Sequence, residues 1–180
     1  MRFLTDKVTY HPYLQTYLRI AGEIGVKGNV AEVGVLNGAS LDMWQALFPQ
    51  GKIVGVDITP EAYWPPGTYR VVADQTDKEL PDLLSQISPD YDLIVDDASH
   101  EGEKTEATFK LLYPLVKPGG WYVIEDWMVG FATYDNARHG PSMLHMACGL
   151  LNLIDSPENE TEYIKYQYGQ IIVRKKSNAS

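Results

Sequence analysis

The richest concentration of reactive side chains lies in the segment VDDASH at residues 95–100. Here Asp97 follows an apolar run and His100 comes three residues later, while a second apolar run ends in Glu125 and Asp126. Carboxylate oxygens are the ligands that Mg²⁺ prefers, and Mg²⁺ needs few protein ligands. A bound divalent cation lowers the pKa of a hydroxyl group, and a nearby imidazole can accept the released proton. The sequence therefore predicts a metal site of Asp97, Glu125 and Asp126, with His100 as a general base.

Other residues of this kind have simpler structural interpretations. Strand alternation turns Asp96 to the opposite side from its neighbour, into a structural hydrogen bond, and Ser99 is most simply a helix N-cap. His100 taken alone could equally belong to a helix start. His145, in an apolar segment, is expected in the core or at an interface, whereas His139 lies in a polar loop where a substrate could meet it.

An alternation of strand-like and helix-like segments must position these side chains. The strand-like segments are short apolar runs at 29–34, 52–57, 70–74, 91–97 and 121–126. The helix-like segments have an apolar face and lie at 11–25, 39–48, 78–87 and 103–116. Pro81 is expected to break the third of these helices early. Because the strand runs are continuously apolar rather than alternating, helices should bury them on both faces of a parallel, doubly wound sheet.

The pattern changes after residue 126. The segment 140–154 predicts a helix, and 161–176 predicts two strands around Gly169 with no helix between them, which indicates an antiparallel hairpin at one sheet edge. The fold class is therefore α/β, with a mostly parallel seven-stranded sheet that ends in this hairpin. Ligands bind beyond the carboxyl ends of the strands in such sheets, and acidic residues occupy the ends of all five parallel strands.

Length and composition limit the class of protein. The chain of 180 residues fits one domain, and its net charge of −9 disfavours nucleic acid as a partner. The sequence has no signal-peptide pattern and no run that suits a membrane span. The single cysteine, Cys148, excludes an internal disulfide, so a cytoplasmic location is expected. Cys148 lies in an apolar stretch and is predicted to be a buried structural thiol.

A glycine-bearing turn follows the first strand, in EVGVLNGAS at 32–40. Leu36 stands where a dinucleotide fingerprint G-x-G-x-x-G has its second glycine, so a pyrophosphate would fit poorly. Asp57, at the end of the second strand, can accept both hydroxyls of a ribose. Asp74 and Gln75, at the end of the third, can reach an adenine amine. The pattern favours a nucleoside ligand without phosphates.

The ordered motifs EVGVLNGAS, GVDI, ADQTD, VDDASH and PGGWYVIED resemble those of class I S-adenosylmethionine (SAM) dependent methyltransferases. More narrowly, the chain is similar to the metal-dependent sugar O-methyltransferases of the macrocin and mycinamicin type, and to cephalosporin-hydroxylase-like proteins. The resemblance covers residues 28–126. It implies a Rossmann-like fold, SAM and Mg²⁺ as cofactors, and a small-molecule hydroxyl, such as that of a sugar unit, as methyl acceptor. The implied SAM contacts are Glu32, Gly34, Gly38, Ser40, Asp57, Asp74 and Gln75.

The resemblance also implies roles for the residues that would take part in methyl transfer. It implies that Asp97 and Asp126 are metal ligands and that His100 accepts the proton. By analogy with the cephalosporin-hydroxylase-like pattern, it adds Glu125 as a further metal ligand. The catechol-type enzymes have Asp-Asn at the end of strand five, where this chain has Asp126 and Trp127. Their full ligand set is absent, so the third metal ligand stays open.

The same resemblance organises the whole chain as one SAM-binding methyltransferase domain, residues 1–180. Residues 1–28 would form a helical cover, 29–126 the SAM-binding core, and 127–180 a substrate-side loop, helix and hairpin. Four apolar or aromatic residues after strand five could form an acceptor wall or the interface of a homo-oligomer: Trp127, Met128, Phe131 and Tyr134.

Two other functions stay open at this point. The chain could bind SAM without transferring a methyl group, because it is short and its metal ligand set is incomplete. It could also be an oxidoreductase of the NAD-binding Rossmann type. Leu36 and the lack of a catalytic Tyr-x-x-x-Lys pattern argue against that second alternative.

Overall fold

The computed structural model describes residues 5–60, 63–131, 140–154 and 159–178. Seven strands form one sheet: β1 Val30–Val33, β2 Ile53–Asp57, β3 Tyr69–Val72, β4 Tyr91–Asp96, β5 Val116–Glu125, β6 Thr161–Gln167 and β7 Gln170–Lys175. Their spatial order is β3-β2-β1-β4-β5-β7-β6. The first five strands pair in parallel, and β7 pairs antiparallel with both β5 and β6. The predicted fold class, including the terminal antiparallel hairpin, is confirmed.

Six α-helices accompany the sheet among the described residues. They are α1 Asp6–Thr9, α2 Leu14–Ile24, α3 Ala39–Leu47, α4 Leu80–Ile87, α5 Gly102–Leu112 and α6 Gly140–Gly149. Short 3₁₀ turns at Tyr113–Leu115, Trp127–Phe131 and Leu150–Leu153 follow α5, β5 and α6. Residues 11–25, predicted as one helix, form α2 together with a preceding turn.

The core lies on both faces of the sheet, as the continuous apolar runs indicate. Apolar residues of α2 and α3 pack on one face, where the rings of Tyr17 and Trp44 meet edge to face at 4.7 Å. Residues of α4, α5 and α6 pack on the other face. The central strands β1, β2 and β4 are thereby almost wholly buried, and their carboxyl ends are held in fixed positions relative to one another.

Three local predictions are wrong for identifiable reasons. β3 is an edge strand, and of its residues only Val71 is buried. Pro81 lies in the first turn of α4, where its missing N–H costs nothing, so it does not break the helix. Cys148 is exposed, because the buried face of α6 is formed by Met143, Met146 and Ala147 at helical spacing.

His145 is also exposed, on the same outer side of α6 as Cys148, so it is not a core residue. Among the helices that the structure describes, none combines the length and the apolar character needed to cross a bilayer.

Candidate active site

A cavity of about 510 Å³ lies at the carboxyl ends of the parallel strands. It opens where β1 has β2 on one side and β4 on the other, which is the switch point at which open α/β sheets bind ligands. Its volume falls within the range of small-molecule sites. Five of the seven residues predicted to bind SAM line it: Gly34, Ser40, Asp57, Asp74 and Gln75.

Gly34 ends β1 with a left-handed φ of 94°. A Cβ at this position would lie 2.1 Å from the backbone carbonyl oxygen of Asp97, at the end of β4. Only glycine therefore lets the two strand ends pass this closely. Gly38 also has a left-handed φ, 71°, and directly precedes α3, but it does not line the cavity.

The Asp57 carboxylate organises the turn after β1. Its Oδ2 accepts hydrogen bonds from the backbone N–H groups of Val35 at 2.8 Å and Leu36 at 3.0 Å, and its Oδ1 accepts one from Thr59 at 2.7 Å. Partial burial alone would raise the pKa of Asp57, but these three N–H donors together lower it below its usual value. Asp57 is therefore ionised at neutral pH, at the end of the cavity next to β2.

Asp74 and Gln75 extend the wall beyond β3. Asp74 Oδ1 accepts from the hydroxyl and the backbone N–H of Thr76, and these two bonds lower the pKa of the carboxyl group. The Gln75 side-chain nitrogen donates to Thr108 Oγ1 at 2.8 Å, and its oxygen accepts from the backbone N–H of Ser99 at 3.2 Å. Gln75 thereby ties the end of β3 to the loop after β4.

Three side chains converge at the other end of the cavity. His100 Nε2 lies 3.9 Å from Asp97 Oδ1 and 4.0 Å from Asp126 Oδ2. The three residues are half-buried, and one ligand atom from each lies within 4.8 Å of the others, a spacing that can hold a metal ion. The structure therefore brings together three residues that the sequence places on two separate strand ends.

The backbone is strained at these strand ends. Leu36, His100 and Asp126 have φ values of 50°, 54° and 53°, and they are the non-glycine residues with positive φ among those that the structure describes. Such a conformation is uncommon for residues with a Cβ and clusters at functional sites. Each of the three residues lines the cavity.

Lys7 is the component of the site that the sequence did not reveal. Its ammonium group is 1% exposed and contacts Asp97 Oδ2 at 2.5 Å, Glu125 Oε2 at 2.6 Å and Glu32 Oε1 at 3.2 Å. Burial alone would lower the pKa of Lys7, but the three carboxylates raise it above its usual value. The sequence gives only an indirect signal, because carboxylates crowded at one edge of the sheet repel one another unless a cationic or hydroxyl-rich group lies between them.

Two tyrosines of the N-terminal segment complete these contacts. The Tyr13 hydroxyl donates to Asp126 Oδ1 at 2.6 Å, and the Tyr17 hydroxyl donates to the Glu125 carboxylate. Burial raises the pKa of both phenols, so they remain protonated donors. Every carboxylate at this end of the site is thus held by a side chain from α1, α2 or the turn between them.

Two predicted site residues, Glu32 and Glu125, do not line the cavity. Glu32 does not line the cavity: it is fully buried and accepts hydrogen bonds from Ser40 Oγ at 2.5 Å and Trp44 Nε1 at 3.1 Å. Glu32 therefore lies behind Ser40, which does line the cavity. Glu125 is also buried, outside the group around His100, because Lys7 and Tyr17 take its carboxylate.

The remaining residues of this region follow structural roles. Asp96 is buried on the opposite side of β4 from the cavity, and burial raises its pKa to about 7. Ser99 is not the N-cap of α5, which begins at Gly102 with Glu101 as its N-cap residue. The Ser99 Oγ accepts a hydrogen bond from the backbone N–H of Glu101, in the loop directly before the helix. His139 and Tyr134 lie outside the described residues.

Trp127 and Met128, which follow Asp126, pack against the terminal hairpin and do not line the cavity. The Trp127 ring meets the Tyr166 ring edge to face at 5.7 Å, and its Nε1 donates to the Gln167 carbonyl oxygen at 3.0 Å. The Met128 sulfur accepts from the backbone N–H of Gly169. Trp127 and Met128 therefore attach this segment to the terminal hairpin, and neither forms a wall of the described cavity.

The sheet order and the acidic cavity at its switch point define the Rossmann-like fold of SAM-dependent methyltransferases. A methyltransferase domain model matches residues 31–127, more than half of the chain. The chain belongs to this methyltransferase family. The family match gives no support to an NAD-type oxidoreductase.

Individual relatives are O-methyltransferases of natural-product sugars. The mycinamicin VI 2''-O-methyltransferase of Micromonospora griseorubida is 33% identical over 155 residues, which cover 84% of this chain and 38% of that enzyme. The 8-demethyl-8-alpha-L-rhamnosyl tetracenomycin-C 2'-O-methyltransferase of Streptomyces olivaceus is 34% identical over 141 residues, which cover 73% of this chain and 37% of that enzyme. The chain spans a little over a third of the length of these relatives.

The solved structure of the MycE methyltransferase, in complex with Mg, SAH and mycinamycin VI, has the same fold. It superimposes with a TM-score of 0.82 at 24% identity and covers 99% of this chain and 54% of MycE. A second MycE structure, in complex with Mg and SAH, superimposes with a TM-score of 0.83 at 25% identity, with the same coverage.

Proposed function

We propose that the chain is a SAM-dependent and Mg²⁺-dependent O-methyltransferase that acts on a hydroxyl group of a small molecule, with a sugar unit of a natural product as the favoured acceptor. The observation that carries this proposal is the convergence of Asp97, His100 and Asp126 at one end of a cavity whose other end contains Asp57. One end suits a proton transfer next to a cation, and the other suits a ribose.

The cavity fits SAM in size and charge. Its lining contains five aspartates against two lysines, Lys7 and Lys104. Such a lining disfavours phosphates and suits the positively charged sulfonium of SAM. Asp57 and Asp74, which remain ionised, offer acceptors for ribose hydroxyls and for the adenine amine. MycE, with the same fold, is in complex with SAH.

The residues around His100 fit a divalent cation. Asp97 and Asp126 offer carboxylate oxygens, and Mg²⁺ is commonly bound through one or two carboxylates. When bound there, the ion lowers the pKa of an acceptor hydroxyl beside it. Glu125 would add a further ligand only if one of its oxygens were released by Lys7 or Tyr17. Asp97 and Asp126 are therefore the ligands that we propose, and Glu125 is a candidate third ligand.

His100 is the group that receives the acceptor proton. Mg²⁺ prefers oxygen to nitrogen, so the imidazole is better used as a base than as a ligand. In the transfer, the acceptor oxygen forms a bond to the methyl carbon, the bond from that carbon to sulfur breaks, and the hydroxyl proton passes to His100. His100 Nε2 lies 3.9 Å from Asp97 Oδ1 and 4.0 Å from Asp126 Oδ2, so the base is adjacent to the residues that we propose as metal ligands.

A labelled-methyl transfer assay tests the proposal. The chain would be incubated with methyl-labelled SAM and a panel of glycosylated natural products, with the matching aglycones as controls. We expect label on the glycosylated compounds, loss of transfer with EDTA, and recovery with added Mg²⁺. SAM binding by calorimetry without label on any acceptor would favour a binding role. Absence of SAM binding would overturn the proposal.

A further inference from the structure

The N-terminal segment supplies a fixed positive charge to the acidic end of the site. Lys7 belongs to α1 and is separated by 90 residues of chain from Asp97 and by 118 from Glu125. An ammonium group has three hydrogen-bond donors, and Lys7 meets three carboxylates at 2.5, 2.6 and 3.2 Å. Lys7 donates hydrogen bonds to Asp97 and Glu125 and forms an ion pair with Glu32, so three carboxylates fix its position.

We propose that Lys7 is a positioning residue of the metal site: it holds Asp97 by one oxygen, so that the other faces His100 and Asp126. Lys7 stays in place when the metal binds. This inference rests on the proposed metal site and adds a residue from outside the family's matched segment, which begins at residue 31.

The two oxygens of Asp97 have different partners, and this division carries the argument. Oδ2 lies 2.5 Å from Lys7 Nζ, and Oδ1 lies 3.9 Å from His100 Nε2. A carboxylate that was free to rotate would exchange the two oxygens. With Oδ2 bound to a buried ammonium, Asp97 keeps one defined oxygen for the cavity.

Lys7 also opposes the metal by its charge. An ammonium bonded to one oxygen of a carboxylate lies within about 7 Å of a cation on the other oxygen. Like charges at that distance repel, and burial limits the screening by solvent. Lys7 therefore weakens metal binding while it positions Asp97, and this combination of effects distinguishes the proposal from a purely structural role. Removal of the charge should tighten metal binding and slow methyl transfer at the same time.

The test compares Lys7→Met, which has nearly the same length without charge, with Lys7→Arg, which keeps the charge. Free Mn²⁺ would be measured by electron paramagnetic resonance at pH 8 in the absence of SAM. We expect Lys7→Met to bind Mn²⁺ about tenfold more tightly. Its methyl transfer should fall about 100-fold with SAM affinity within about threefold of the wild type. Lys7→Arg should keep the wild-type Mn²⁺ affinity.

The matched control is Lys110→Met, at an exposed lysine paired with Glu106 on α5, which should change neither quantity. Unchanged or weaker Mn²⁺ binding in Lys7→Met would overturn the role of Lys7 while leaving the metal site intact. If neither the wild type nor Lys7→Met binds Mn²⁺, the metal site itself is absent and both proposals fall.

A measurement on the wild type covers the case in which Lys7→Met does not fold. The ¹⁵N resonance of the Lys7 ammonium, assigned by its loss in Lys7→Arg, would be followed during a titration with Mg²⁺. We expect it to remain protected from exchange at saturation. Loss of protection would mean that the metal displaces Lys7, which would overturn the proposal.

Discussion

The most informative perturbation of the proposed SAM site is Asp57→Asn, which keeps the shape of the side chain and removes its charge. The carboxylate accepts three backbone hydrogen bonds, from Val35, Leu36 and Thr59. An amide has only one acceptor oxygen, so at least one N–H must face the NH₂ group and lose its partner. The substitution therefore disturbs the turn after β1 whichever way the amide is oriented.

The expected loss of stability in Asp57→Asn follows from these three hydrogen bonds. Hydrogen bonds to a charged acceptor contribute about 1.5–3 kcal/mol and neutral ones about 0.5–1.5 kcal/mol. One lost bond, at about 1.5–3 kcal/mol, and two bonds weakened by about 1–1.5 kcal/mol each would sum to about 3.5–6 kcal/mol. Asp57 is half-buried, so water replaces a large part of this loss. We expect the free energy of unfolding to fall by about 1–3 kcal/mol, with a decrease in Tm of about 2–12 °C.

Two assays separate the stability effect from the binding effect. Urea denaturation would give the free energy of unfolding, and titration calorimetry would give the Kd for SAM, which should rise at least about tenfold. The control is Asp77→Asn, since Asp77 also accepts a backbone N–H, from Glu79, but lies outside the cavity lining. A Kd for SAM within about twofold of the wild type would refute the assignment of Asp57 to the nucleoside end.

The pH dependence provides an internal check on the same variant. The pKa of Asp57 is lowered by folding, so its contribution to stability is complete above the unfolded pKa of about 3.9. That contribution is lost as the pH falls through the lower pKa of the folded state. The stability difference between the wild type and Asp57→Asn should therefore shrink below about pH 4.

Three further predictions concern the chemistry end. His100→Gln should lower methyl transfer by about 10²- to 10⁴-fold, with the Kd for SAM nearly unchanged, as measured by labelled transfer and calorimetry. A parallel loss of SAM binding would contradict a role confined to the proton. Tyr17→Phe leaves an oxygen of buried Glu125 without its donor and should lower the free energy of unfolding by about 1–3 kcal/mol in urea; an unchanged value would show that the bond contributes nothing. EDTA should stop transfer and leave SAM binding intact, and SAM affinity that fell with chelation would place the metal at the cofactor instead.

The fold could be predicted because its signals are local. Continuous apolar strands that alternate with amphipathic segments require a parallel sheet covered on both faces, and Gly169 between two β-rich runs requires a hairpin. The errors arise where the three-dimensional position decides the outcome. An edge strand such as β3 has the same composition as an inner one, and Cys148 is exposed because α6 presents another face to the core.

The candidate site likewise contains residues that the sequence could place and one that it could not. Asp97, His100 and Asp126 could be placed together because the carboxyl ends of adjacent parallel strands share one edge. Nothing in the local pattern around Lys7 shows that a lysine near the N-terminus would be buried among those carboxylates. The crowded carboxylates indicate a cationic or hydroxyl-rich group between them, but its identity depends on the path of the chain from α1 across the sheet.

The N-terminal segment and the terminal hairpin together hold strained strand ends in place. A non-glycine residue with positive φ costs about 1–3 kcal/mol and persists only where neighbouring contacts fix it. Asp126 is such a residue, and the Tyr13 hydroxyl holds its carboxylate at 2.6 Å. A Cβ on Gly169 would lie 1.7 Å from that same hydroxyl. Gly169, which the sequence assigns to a hairpin turn, therefore also leaves the space that the Tyr13 hydroxyl needs in order to reach Asp126. The terminal strands thus contribute to the geometry of the site, although none of their side chains lines it.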